Sequence, residues 1–158
     1  MKPYIIGIVA IAILGSLLFF SSPSNRSGSE PDTKVASVLA VAESSYDFGT
    51  IGIFDGKVTK DFILTNNGDE PITILNGTTS CGCTEGSIDG VVFGMHEGMA
   101  RTVSLEPGES KTLTATYDPL AHGPEAVGQV TRQLFLKTNS TATPELEINI
   151  SANVIKGE

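Results

Sequence analysis

The residues with the most chemical potential in this chain are few and close together. There are two cysteines, Cys81 and Cys83, and two histidines, His96 and His122; Met95 and Met99 bracket His96, and Met1 is the only other methionine. In an extended segment, side chains at i and i+2 share a face, so Cys81-Gly82-Cys83 can present two sulfurs to one point. Thiolate and thioether donors select soft ions such as Cu(I), and imidazole suits copper and zinc. The methionines tilt the choice to copper, because structural zinc sites use Cys, His and carboxylate. The favoured reading is a copper or other soft-metal site drawn from Cys81, Cys83, Met95, His96, Met99 and His122. Two alternatives stay open for the cysteines. One is a disulfide: extended i and i+2 Cα atoms lie about 6.6 Å apart, near the upper limit for such a bond, and a turn at Gly82 would shorten that distance. A ring this small would be redox-labile. The other alternative is a pair of inert thiols packed as small hydrophobes. For Met95-His96 and Met99 the plain alternative is a glycine-rich loop, and for His122 a turn residue.

No enzymatic constellation accompanies these residues. Glu85, Asp89, Glu97, Glu106 and Glu109 show no pairing that demands acid–base roles, and nucleophile-elbow, phosphate-loop and dinucleotide fingerprints are missing. A thiol–disulfide enzyme would normally place Cys-x-x-Cys at a helix start, whereas the context here is β. The expectation is a non-enzymatic protein without catalytic residues. Ten basic against eighteen acidic residues give a formal charge of -8, which repels phosphate backbones and argues against nucleic-acid partners. The expected partner is an envelope protein of unknown identity or a metal ion.

The elements that must position these residues read as strands. Val58 to Thr65 alternates with period two and ends in Asn66-Asn67-Gly68-Asp69, a turn sequence. Pro71 to Leu75 follows. Lys111 to Tyr117 sets Leu113, Ala115 and Tyr117 against three threonines. Gln129 to Thr138 puts Val130, Leu134 and Leu136 on one side, and Glu145 to Ser151 sets Leu146, Ile148 and Ile150 opposite Glu145, Glu147 and Asn149. Short strands near Tyr46–Phe48 and Ile88–Phe93 bring the total to about seven. Clean alternation means one buried and one wet face, the antiparallel case. Seven short strands with polar turns predict an all-β, immunoglobulin-like antiparallel sandwich. No segment after residue 44 carries a helical stripe.

Ahead of these strands, Tyr4 to Phe20 is almost wholly apolar, at the short end of a membrane-spanning length. Lys2 precedes it and the next basic residue is Arg26, so the positive-inside rule leaves the rest of the chain outside the cytoplasm. The run meets Ser21-Ser22-Pro23 without a small-residue cleavage pattern. A retained anchor over 1–20 is therefore favoured over a cleaved signal peptide. Residues 21–44, rich in Ser, Pro and Gly at their start, read as a tether, and 45–158 as the folded domain. The expected location is the cell membrane, single-pass, with the C-terminal domain outside the cytoplasm.

The motifs then resemble a family. Tyr46-Asp47-Phe48-Gly49-Thr50-Ile51, Phe62-x-Leu64-Thr65-Asn66-x-Gly68-Asp69-x-Pro71-Ile72-x-Ile74, Thr79-Ser80-Cys81-Gly82-Cys83-Thr84, Pro107-Gly108-Glu109-Ser110 and Tyr117-Asp118-Pro119 occur in that order. This resembles the bacterial domain-of-unknown-function family 1573, over about residues 45 to 155. The resemblance implies an exported immunoglobulin-like sandwich and no known activity. Two segments depart from the short family form: the stretch between Cys83 and Pro107, which is only about half as long in that form, and Ala121-His122-Gly123-Pro124. Chemistry peculiar to this chain is expected in those loops together with the cysteine pair.

Overall fold

A computed structural model describes residues 33–157. The expected anchor over 1–20 and the first half of the tether lie outside the described residues. Among the described residues there is no helix, and so none long and apolar enough to cross a membrane.

Among the described residues, ten strands form two five-stranded sheets. The first holds β1 (Leu39–Val41), β3 (Val58–Asn66), β8 (Ser110–Tyr117), β5 (Thr84–Ile88) and β6 (Val91–Phe93), in that spatial order. The second holds β2 (Ser45–Gly52), β10 (Glu145–Ile155), β9 (Gly128–Thr138), β4 (Ile72–Thr79) and β7 (Val103–Leu105). Alternation decides what each strand buries. Phe62 and Leu64 on β3 and Leu113, Ala115 and Tyr117 on β8 turn inward from one sheet. Ile72 and Ile74 on β4, Leu134 and Leu136 on β9, and Ile148 and Ile150 on β10 turn inward from the other. These side chains meet in one continuous apolar interior, the arrangement that buries one face of each sheet.

The sandwich expected from the alternation is present, with three corrections. The strands number ten rather than about seven, because the run read as one strand over Ile88–Phe93 is a hairpin of β5 and β6 and because β1 and β7 were not anticipated. The hairpin turns at Asp89-Gly90, both with positive φ (51° and 72°), as a two-residue hairpin turn requires. The sheets are also not wholly antiparallel: β2 runs parallel to β10, with Tyr46 opposite Ile150 and a register shift between Ser151 and Asn153. Period-two patterning is the same in both pairings, so it could not show this. Finally, the sandwich begins before residue 45. Val35 and Leu39 are buried, Val35 bridges Ser140, and β1 pairs with β3. Apolar residues at 35, 39 and 41 supply an inward face to a stretch otherwise polar enough to read as tether.

Candidate functional site

The Cys81-Gly82-Cys83 segment links β4 of one sheet to β5 of the other, so it is a crossover at one end of the sandwich. Such a crossover must satisfy its own backbone groups, and this one does. The Thr84 N–H donates to the Cys81 carbonyl (3.1 Å), closing a tight turn, and the Asp118 N–H donates to the Cys83 carbonyl (2.9 Å). Thr79 Oγ1 lies 3.0 Å from both the Cys81 and Thr84 carbonyls. Ser80 is tied to Gln133 of β9 twice: its N–H donates to the Gln133 carbonyl, and its Oγ accepts the Gln133 N–H. The turn brings the two cysteine Cα atoms to 5.2 Å, and the sulfurs are bonded as a disulfide. Of the readings open from the sequence, the structure therefore shows the disulfide.

Each sulfur has its own polar neighbour. The His122 Nε2 lies 3.0 Å from Cys81 Sγ. The histidine is exposed on the loop after β8, whose shape comes from Asp118: its Oδ1 accepts the Leu120 N–H and its carbonyl accepts the Ala121 N–H. Gly123, at φ 88°, completes the turn, a conformation that suits glycine. Cys81 Sγ also accepts the Cys83 N–H at 3.1 Å. Cys83 Sγ is buried, 3.7 Å from Thr84 Oγ1, and accepts a hydrogen bond from Arg132 Nε at 3.0 Å.

Arg132 was not among the residues expected at the site. Its sequence signal was available: along β9 it falls in phase with Val130, Leu134 and Leu136, so a charged residue occupies an inward-facing position. A second donor, Nη1, reaches the Thr131 carbonyl, and the guanidinium carbon lies 6.0 Å from the Tyr117 ring centroid. Burial pushes the Tyr117 hydroxyl pKa up; Arg132 pulls it down and Asp118 adds to the rise.

Of the four cysteines and histidines expected as ligands, the structure gathers three. Donor atoms of Cys81, Cys83 and His122 all lie within 4.8 Å of one another, and His96 is not part of that group. Met95 and His96 instead line a surface cavity of about 290 Å³ together with Gly82, Glu85 and Phe93. Met95 is exposed, while Met99 is half-buried against the core, and its N–H is fixed to Asn76 Oδ1 at 3.0 Å.

A family model described as a protein of unknown function (DUF1573) matches residues 39–154. The chain belongs to this family. No curated protein matches it. Among solved structures, a protein of unknown function from Porphyromonas gingivalis W83 is similar at 19% identity and TM-score 0.59, over 82% of this chain and 51% of that one. A family 123 glycoside hydrolase from Clostridium perfringens is similar at 7% identity and TM-score 0.56, over 78% of this chain and 28% of that one. The VesB protease of Vibrio cholerae is similar at 17% identity and TM-score 0.51, over 73% of this chain and 31% of that one. At such identities the likeness is one of fold. This member of the family spans about half the length of the P. gingivalis protein and under a third of the two enzymes.

Proposed function

We propose that this chain is a non-enzymatic, immunoglobulin-like binding module, held outside the cytoplasm by its N-terminal apolar segment, and that its reduced Cys81-Gly82-Cys83 end takes up one Cu(I) ion. The observation that carries the reading is the convergence of Cys81 Sγ, Cys83 Sγ and His122 Nε2 within 4.8 Å of one another. Two sulfurs and one imidazole form a soft donor set. Structural zinc is almost always four-coordinate, and the Cys, His, Asp and Glu side chains among the described residues bring three donors together here. Charge points the same way. Two thiolates, a neutral imidazole and a monovalent cation sum to one negative charge, which the guanidinium of Arg132 offsets from 3.0 Å. A divalent cation would leave a neutral cluster beside a permanently charged arginine.

The test is an anaerobic Cu(I) titration of the reduced full chain against a competing chelator. One equivalent is expected to bind. Cys81→Ser with Cys83→Ser should abolish uptake, and His122→Ala should weaken it about tenfold or more, the scale seen on disturbing a metal's ligand shell. Alanine at Met95, His96 and Met99 should leave it unchanged. No uptake by the reduced chain would defeat the metal reading and leave a module that binds through its loops alone.

A further inference from the structure

The Cys81–Cys83 bond has two chemically different ends. Thiol–disulfide exchange requires the incoming sulfur to reach the sulfur it attacks, and its rate depends on how well the departing sulfur carries charge. Cys83 is 3% exposed, enclosed by Thr84 and Arg132. Cys81 is only partly buried, beside the exposed His122. Access therefore directs attack to Cys81, which makes Cys83 the leaving sulfur. Arg132 Nε stands 3.0 Å from that sulfur, and a charge-assisted donor already aimed at a developing anion stabilises it without reorganisation.

We infer that this disulfide exchanges with an external thiol in one direction of attack, with Arg132 holding the charge of the departing sulfur. A thiolate RS⁻ bonds to Cys81 Sγ, the Cys81–Cys83 bond breaks, and its electron pair leaves on Cys83 Sγ against the guanidinium. A second RS⁻ attacks the external sulfur of the Cys81 mixed disulfide, forming RSSR and releasing Cys81 as thiolate. Two thiols are oxidised to one disulfide, the protein disulfide is reduced to a dithiol, and the two thiol protons pass to solvent or to the cysteines. This chemistry stands apart from metal uptake, since it concerns the oxidised form. If both hold, exchange is the step that frees the metal's sulfur ligands.

The experiment uses the full chain, oxidised, metal-free in the presence of a chelator, and challenged with glutathione at fixed pH. Samples are quenched with acid, alkylated and mapped by mass spectrometry. The expected intermediate carries glutathione on Cys81 and the alkyl group on Cys83, a readout that needs no variant. Arg132→Gln should slow loss of the disulfide about tenfold or more, while Arg132→Lys restores most of the rate. In denaturant the wild-type chain and Arg132→Gln should react alike, because the effect belongs to the folded geometry. Glutathione on Cys83, or equal rates for the folded wild-type chain and Arg132→Gln, would overturn the inference. Neither readout involves copper, so failure here and failure of the metal titration are separate results.

Discussion

Replacing Gly86 with alanine should destabilise the sandwich through a single aromatic ring. Gly86 on β5 lies directly opposite Phe93 on β6, and Phe93 is 1% exposed. A Cβ at position 86 would sit 2.2 Å from Phe93 Cζ and 2.5 Å from Cε2. The ring has little room to retreat, because a Cβ built on Gly77 of the opposing sheet would already lie 2.7 Å from Phe93 Cγ. Ordinary contact between carbons needs about 3.5 Å or more, so the ring or strand must shift by roughly 1 Å. Overpacking of this kind costs about 1–3 kcal/mol; with both sheets confining the ring, the upper half, about 2–3 kcal/mol, is expected. For a domain of this size each kcal/mol moves Tm by about 3–5 °C, giving a fall of about 6–15 °C. The assay is thermal and urea unfolding of Gly86→Ala alone, of Phe93→Leu alone and of the double variant. Shortening the ring should relieve the clash, so the alanine should cost at least about 1 kcal/mol less in the Phe93→Leu background. A Gly86→Ala change within about 0.5 kcal/mol of neutral, or equal cost in both backgrounds, would refute the steric account.

Other outcomes follow from buried polar groups and from charge. Asn66 is fully buried; its Nδ2 donates to the carbonyls of Glu70 and Leu105 and its Oδ1 accepts the Gly68 N–H. Asn66→Leu should therefore lower the free energy of urea unfolding by about 3 kcal/mol, since it strands buried partners. The carboxyl of Glu109 is held below its ordinary range, first by the Glu106 N–H and then by Lys111. Its folded pKa is thus below its unfolded one, so its contribution is present above the ordinary carboxylate range and is lost as pH falls through the folded value. Glu109→Gln should flatten the acid limb of the stability–pH curve, and an unchanged limb would count against the pairing.

How much of this was legible in the sequence depended on which physical property each feature leaves in the pattern. Burial leaves a period, so Phe62, Leu64, Leu113, Leu134, Ile148 and their strands were readable. Strand direction leaves none, and the parallel entry of β2 beside β10 was missed. Length also matters: β7 spans three residues, too few to display alternation, and it hid inside a glycine-rich stretch. At the site, spacing alone let Cys81 and Cys83 meet, but they do so through a tight turn rather than on one face of an extended segment. His122 was nominated by composition, as one of two histidines, and its approach to Cys81 depended on a turn built around Asp118. Met95, His96 and Met99 were grouped by nearness in sequence; His96 is not part of the Cys81, Cys83 and His122 group, Met95 is exposed, and Met99 is half-buried with its N–H fixed to Asn76. Arg132 was the recoverable omission, since a cation in the inward phase of a buried strand asks what it pairs with.

The pairing of β2 with β10 bears on when this domain can form. β10 lies between β2 and β9, so without the last strand the second sheet is split and β2 has no neighbour. A chain delivered N-terminus first, whether from the ribosome or through a membrane pore, cannot complete its sandwich until residues near Ile155 have emerged. Until then the two cysteines travel on an unfinished scaffold, open to whatever oxidants and thiols the compartment holds. Assembly is gated by arrival of β10, and the final geometry around Cys83, with Arg132 in place, belongs to the completed sandwich.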